Sequence, residues 1–352
     1  MTVKYPVAKP SLAGNELAYV SDAINEGWIS SHGAYVPRLE QDFAAYNGMR
    51  HGVACASGTA ALALALRALG IGPGDEVLVP EFTMIACAWA VTHVGATPVF
   101  VDCGADLNID VSAVEDKITA STKVIMPVHI YGRQCDMDEI MRIAFDYNLR
   151  VVEDSAEAHG IRPVADIACF SFDATKIMTA GEGGICLTDD PRLAGQLAHL
   201  HSWAYSRDLR FLHKKLGFNF RMTNMQAAVA LAQLERLDEM LRQRAEIERR
   251  YDEGLAGTPG LTLMPPRDVL WTYDLRASRM PQLREFLAED GIETRPFFQP
   301  MSRQPPYFDQ EWPALNAARF ATDGLLLPTY VGMAVSEQEH IIGRIREFYR
   351  AG

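Results

Sequence analysis

Three clusters along the chain bring reactive side chains to the ends of apolar runs or to the start of a helix. Cys169-Phe-Ser-Phe-Asp-Ala-Thr-Lys176 is a strand-like run ending in a lysine, and the glycine-rich Thr179-Ala-Gly-Glu-Gly-Gly184 follows it. A lysine held at a strand terminus in a partly apolar pocket can lose its proton and attack a carbonyl. Val151-Val-Glu-Asp154 reads as a buried strand ending in two carboxylates, with Asp154 at the end where a ligand could lie. Ser57-Gly-Thr-Ala60 opens an Ala/Leu-rich helix. A helix N-terminus offers unpaired N–H groups and a positive dipole end, which suit a phosphate, and Gly58 permits close approach. Singly, each has a plainer reading: a surface lysine, a capping or solvent-facing aspartate, an ordinary N-cap at Ser57 or Thr59. His159, five residues after Asp154, reads as a hydrogen-bonded structural histidine.

The three together point to one cofactor. Pyridoxal phosphate needs a helix N-terminus or hydroxyl for its phosphate, a carboxylate that keeps the pyridine nitrogen protonated, and a lysine for an imine. Those groups occur here in that order along the chain, each at a strand or helix end. No G-x-G-x-x-G follows a strand and no G-x-x-x-x-G-K-[ST] loop is present, which removes the commonest nucleotide-binding rivals.

Such groups need elements to hold them. Between residues 50 and 190 compact apolar runs alternate with amphipathic stretches such as Ala60–Leu69 and Asp136–Tyr147. This predicts an α/β fold with a largely parallel sheet buried on both faces, whose ligands collect at the carboxyl ends of the strands. Thr223-Asn-Met-Gln226 fits a capping box. Ala228, Leu231, Leu234, Leu237 and Leu241 then repeat at helical spacing, and Arg242–Glu253 continues the pattern as one long helix. The remainder reads as a smaller α/β domain. The division is set near residue 240, giving a large domain over 1–240 and a small one over 241–352.

Composition narrows the class. The chain has 352 residues, more than one core usually serves, with 48% hydrophobic and 22% charged residues. A formal net charge of -12 disfavours nucleic acid as a partner. The apolar stretch 52–70 is rich in Ala and Gly and reads as a buried helix and its approach, so no membrane partner is expected. The N-terminus lacks the apolar run of a signal peptide. The six cysteines, Cys55, Cys87, Cys103, Cys135, Cys169 and Cys186, form no C-x-x-C pair. They suit a reducing cytoplasm, and no metal site is expected.

Several segments resemble one family in particular. Gly27-Trp-Ile-Ser-Ser31, Ser57-Gly-Thr-Ala-Ala-Leu62, Pro127-Val-His-Ile-Tyr-Gly132, Val152-Glu-Asp-Ser-Ala-Glu-Ala-His-Gly160, Phe170-Ser-Phe-Asp-Ala-Thr-Lys176, Gly217-Phe-Asn-Phe-Arg-Met-Thr-Asn224 and Glu293-Thr-Arg-Pro-Phe-Phe298 are similar to the DegT/DnrJ/EryC/StrS sugar-nucleotide aminotransferases. The resemblance runs from about Trp28 to Tyr349. It implies the aspartate-aminotransferase fold (fold type I), pyridoxal phosphate as cofactor, and a homodimer with shared sites. By this resemblance Lys176 forms the imine and moves the proton, Asp154 pairs with the pyridine nitrogen, and Glu157 lies near the ring hydroxyl. Ser171 with Gly58, Thr59 and Ala60 holds the phosphate, and Met84 lies over the ring. Asn219 reaches the neighbouring chain's site, with Arg221. Trp28, Ser30, Ser31, His129, Arg221, Arg295 and Phe297 are implied for the substrate. The Trp-Ile-Ser-Ser and Arg-Met-Thr-Asn segments look most like those of relatives that aminate a GDP-linked 4-keto-6-deoxy sugar, with L-glutamate as donor.

The chain also departs from that pattern. Met84 replaces a usual aromatic residue, Trp89 stands at a common Asn, and Gln299 and Ser302 replace a usual Tyr and His. Trp89, Gln299 and Ser302 bear on the sugar pocket, and by resemblance to related enzymes that aminate inososes a cyclitol ketone is the alternative substrate. A sugar dehydratase of the same fold carries histidine in place of the lysine, and Lys176 argues against that activity. A catalytically silent binding protein on the same scaffold is opposed by the intact Asp154, Glu157, Ser171 and Lys176.

Overall fold

The computed structural model describes residues 3–206, 211–308 and 315–350. Seven strands build the larger sheet: β1 (His51–Cys55), β2 (Glu76–Pro80), β3 (Thr97–Val101), β4 (Thr122–Ile125), β5 (Arg150–Asp154), β6 (Ile167–Ser171) and β7 (Gly184–Thr188). Their order is β1-β7-β6-β5-β4-β2-β3. Every pair from β6 across to β3 is parallel, and β7 joins β6 and β1 antiparallel. The strands are short apolar runs because both faces are covered, and every residue of β6 and β7 is buried.

Eleven helices are described: α1 (Glu16–Asn25), α2 (Tyr35–Tyr46), α3 (Gly58–Ala68), α4 (Ala86–His93), α5 (Met137–Asp146), α6 (Pro191–Leu200), α7 (Asn224–Leu234), α8 (Leu237–Leu255), α9 (Met280–Glu289), α10 (Leu315–Asp323) and α11 (Val335–Arg350). Alternate residues of each strand feed different layers. Val77 and Val79 pack in the core under α3, α4 and α6, whereas Leu78 packs with α5. On that second face, Ala168 and Phe170 meet α1, α2 and α7. α3 is apolar all round, with Ala60 through Leu66 buried, as befits a helix enclosed between sheet and helices.

A second, antiparallel sheet runs β10-β11-β9-β8, from β8 (Leu261–Leu263), β9 (Tyr273–Ala277), β10 (Arg295–Pro296) and β11 (Gly324–Leu327). Its own core gathers Ile247, Tyr251, Tyr273, Leu275, Leu283, Leu325 and Ile341 from strands and α8, α9 and α11. Residue 240 lies within α8. Leu237 and Met240 belong to the core of the larger sheet and Ile247 to that of the smaller, so we propose the division along α8 between Met240 and Ile247.

The long helix expected after Thr223 is two helices. The capping box is present, with Thr223 Oγ1 accepting from Gln226 N and Gln226 Oε1 accepting from Thr223 N. The helix then breaks at Glu235–Arg236, where Arg236 leaves helical geometry (φ -115°, ψ 4°). The apolar period continues through the break, but the partners change. α7 is clamped to the N-terminal region by Gln233, which donates to Ser11 O and Glu16, and by Glu235, which accepts from Asn15 and Tyr19. α8 turns away to the second core.

Candidate active site

The parallel strands β5 and β6 end at one edge, and the N-terminus of α3 points there. Together with loops from both sheets they enclose a cavity of about 360 Å³. Ser57 is extended (φ -166°) and caps α3, its Oγ accepting from Ala60 N at 3.1 Å. Ala60 therefore spends its N–H inside the cap, and Gly58 and Thr59 are the first-turn residues that line the cavity. Gly58 lies against β6, where a Cβ would stand 2.8 Å from Ser171 Cβ. Only glycine lets the helix end and the Ser171 hydroxyl approach one small anion together.

Asp154 closes β5 and is 5% exposed. Oδ1 accepts from Ala156 N at 3.0 Å, and Oδ2 accepts from the Cys87 thiol of α4 at 3.1 Å. Asp173 organises the turn after β6: its Oδ1 accepts from Thr175 N at 2.9 Å, and its carbonyl accepts from Lys176 N at 3.0 Å. That turn delivers Lys176 into the cavity. The chain has seven lysines; Lys4, Lys9, Lys117, Lys123, Lys214 and Lys215 are exposed, and Lys176 alone is not.

The Lys176 amine lies 3.8 Å from Glu157 Oε1 and 4.2 Å from the centroid of the Trp271 ring. Glu157 Oε2 accepts from Tyr131 N at 2.9 Å. Burial pushes the Glu157 carboxyl up to about 7, against the opposing pull of Lys176 and the Tyr131 N–H. His159 beneath them is not hydrogen-bonded as expected. Both ring nitrogens lack a partner, the ring is wedged among Phe43, Phe170 and Phe172, and burial first, then Lys176, pushes it down to about 3, so it is neutral.

The other expected residues divide into three groups. Met84, half exposed, and Arg295, whose Nε donates to Glu293 Oε1 at 3.0 Å, both line the cavity. Ser30, Ser31 and Arg221 line a separate hollow of about 640 Å³ with Ser202, Trp203 and Tyr205. There the Arg221 guanidinium stacks 4.1 Å from the Trp203 ring and Nη1 donates to Ser202 Oγ at 3.1 Å. Trp28 and Asn219 are exposed beside these segments. The Trp28 carbonyl accepts from Asn224 Nδ2, and Asn219 bridges to Ser202.

His129 and Phe297 form the third group, and the structure does not bring them to the cavity. His129 is fully buried under the strand ends. Its Nδ1 accepts from Cys135 N at 3.1 Å, which leaves the ring proton on Nε2, 2.8 Å from Glu153 Oε1. Phe297 packs edge-on to Phe82 and Tyr131. β10 ends at Pro296, so the strand alternation that would carry Phe297 to the side of Arg295 is lost and Phe298 lines the cavity instead. Of the departures, Ser302 turns inward, its Oγ donating to Glu81 Oε1 at 2.7 Å. Neither Ser302, Gln299 nor Trp89 lines the cavity. Trp271, Cys87, Asp173 and Phe298 are site residues that the sequence did not single out. Asp173 had a local signal, an Asp two residues before a Thr in a turn; Trp271 had none.

A cavity at the carboxyl end of a parallel sheet, lined by a half-buried lysine, two carboxylates and a helix N-terminus, is the arrangement of a cofactor-dependent group-transfer enzyme. The model of the DegT/DnrJ/EryC1/StrS aminotransferase family matches residues 10–346. The chain is 42% identical to the GDP-perosamine synthase of Caulobacter vibrioides, covering 96% of each chain, and 38% identical to that of Escherichia coli O157:H7, covering 99% of each. DesV of S. venezuelae, solved in complex with a ketimine intermediate, superposes with a TM-score of 0.90 at 36% identity, over 95% of this chain and 94% of that one. The chain belongs to the DegT/DnrJ/EryC1/StrS aminotransferase family. It is an enzyme with the fold type I architecture of the aminotransferases that depend on pyridoxal phosphate.

Proposed function

We propose that the enzyme moves the amino group of L-glutamate to C4 of a nucleotide-linked 4-keto-6-deoxyhexose, a GDP sugar being favoured, as a GDP-perosamine synthase does. The observation that carries the site is Lys176, the one lysine not exposed, set opposite Asp154 and Glu157 in a cavity headed by a helix N-terminus. The residues fit pyridoxal phosphate. When bound, that group supplies an aldehyde for an amine to capture and a pyridinium ring that draws electrons from a carbon losing its proton.

The chain's own residues then have separate tasks. The amides of Gly58 and Thr59 and the Ser171 hydroxyl hold the phosphate. Asp154 would keep the ring nitrogen protonated, and Glu157 and Met84, the latter through its polarisable thioether, would help hold the ring. Lys176 takes the proton from one carbon centre and returns it to the other. Arg295 suits the diphosphate, because its planar fork makes paired charge-assisted hydrogen bonds.

Asn219, Arg221, Trp28, Ser30 and Ser31 gather outside the cavity of their own chain, which supports a homodimer in which they complete the partner's site. The six cysteines are all free and buried, which supports a cytoplasmic, reducing setting. No described helix is long and apolar enough to cross a membrane. Steady-state kinetics with L-glutamate on GDP-, dTDP- and UDP-linked 4-keto sugars and on a cyclitol ketone, with products read by mass, test the substrate. The GDP sugar is expected to give the highest kcat/KM. Turnover of the free cyclitol ketone alone would overturn the substrate while leaving the cofactor site standing.

A further inference from the structure

We propose that the face of Trp271 and the carboxylate of Glu157 form a resting cradle for the free Lys176 ammonium, so that Trp271 is a positioning residue for the lysine whenever it is not joined to the cofactor. The inference rests on Lys176 being the lysine that serves the cofactor and adds to it a role for a ring 96 residues from Thr175.

The Lys176 side chain is 12% exposed, so its charge finds little water. A cation over an indole face is attracted by the ring quadrupole, more strongly when desolvated. Its distance to Glu157, 3.8 Å, is long for a hydrogen bond. The amine is thus retained by two soft contacts without being locked, which suits a group that must leave and return in each cycle. Of the other titratable groups nearby, His159 is neutral, and Asp154 accepts from Ala156 and Cys87 and makes no ion pair with Lys176 among the described contacts.

The ring is built into place. Trp271 Nε1 donates to Thr175 O at 2.9 Å, the residue before the lysine itself. Arg244, buried in α8, donates through Nη1 to Trp271 O at 2.7 Å and Leu270 O at 3.3 Å. Asp268 N and Val269 N donate to Gly132 O at 3.1 and 3.0 Å. Gly132 has φ +86°, and a Cβ there would stand 1.9 Å from Val269 O. The preceding residue, Tyr131, is also left-handed (φ 52°), and its N–H is the one on Glu157. One strained turn, 131–132, therefore sets both walls of the cradle, the carboxylate and the approach to the indole.

The test uses the full chain free of cofactor, with trinitrobenzenesulfonate as the amine probe and peptide mass to follow Lys176. At about pH 11 most lysine amines are uncharged, so the rate reports access; the ratio of the rate at about pH 7 to that at about pH 11 reports how firmly the ammonium is held. Trp271→Leu is expected to raise that ratio about tenfold, while Trp271→Phe, which keeps an aromatic face, stays near wild type. If the leucine variant does not fold, Trp271→Met carries the same expectation. An unchanged ratio in the leucine variant overturns the proposal, and so does an equal rise in both variants, which would mark the indole as mere cover. Borohydride reduction of wild type with pyridoxal phosphate separates the foundations. A label away from Lys176 removes the underlying reading, whereas a label on Lys176 with an unchanged ratio overturns the cradle alone.

Discussion

Asp154 illustrates how one residue's surroundings define its task. Each oxygen takes one donor, from Ala156 and from Cys87, and a carboxylate offers about four lone-pair sites, so acceptor capacity remains for a ring nitrogen. Asp154→Asn keeps the shape and removes the charge. Turnover is expected to fall by about a hundredfold or more, equivalent to ~2.7 kcal/mol of barrier, while pyridoxal phosphate stays bound through Gly58, Thr59 and Ser171. Single-turnover rates, with cofactor content after dialysis, check this; unchanged turnover would show that Asp154 does not serve the ring. That Asp154 and Lys176 line one cavity was legible in the sequence because each is a reactive type at or shortly after the end of an apolar run. Trp271 was not, because its place is fixed by its own bond to the Thr175 carbonyl, by the Arg244 bond to its carbonyl and by the bonds of Asp268 N and Val269 N to Gly132 O, which leave no periodic trace. His129 shows the reverse. It sits at a strand end in a motif of the right kind, yet the Cys135 amide and Glu153 hold its ring in the core.

Between elements, the turn after β2 is joined to the segment leaving β10 through a buried carboxyl. Glu81 Oε1 accepts from Ser302 N and Oγ, Oε2 has no partner, and Thr83 and Met84 just beyond line the cavity. Burial raises Glu81 to about 8, outweighing the Ser302 bonds and Arg303. A carboxyl with a folded value above its unfolded one stabilises the fold at low pH, and that contribution is lost as pH rises from about 4.5 through about 8. Each unit of displacement is worth on the order of 1.4 kcal/mol. Glu81→Gln imitates the protonated form, so its urea unfolding midpoint is expected to fall less between those limits than that of wild type. Parallel profiles would show that Glu81 does not carry the dependence. The strands of the larger sheet were legible as short apolar runs. The α7–α8 break was not, since hydrophobic period reports that a face is buried and not what it is buried against.

At the scale of the whole molecule, the expected site residues lie in two places on one chain: the cavity, and the segments around Ser30 and Arg221. A homodimer that brings the second set to its partner's cavity would unite them. Mixing a Lys176→Ala chain with an Asn219→Ala, Arg221→Ala chain tests this directly. Half of randomly mixed dimers carry both chains, and each has one site with both contributions intact, so about a quarter of wild-type activity should return. No recovery, with mixed dimers shown to form, would place each site within one chain. The two-sheet architecture was legible from alternation and length, but the proposed division of site residues between chains comes only from resemblance, because no local pattern records which copy a loop serves.

Borohydride reduction of the enzyme with pyridoxal phosphate, followed by digestion and mass mapping, tests whether Lys176 is the residue that holds the cofactor. With only seven lysines in the chain, six of them exposed, the outcome is unambiguous. The pyridoxyl group is predicted on Lys176 alone, at one per chain. A label on any other lysine, or spread over the exposed ones with Lys176 unmodified, would show that Lys176 does not hold the cofactor.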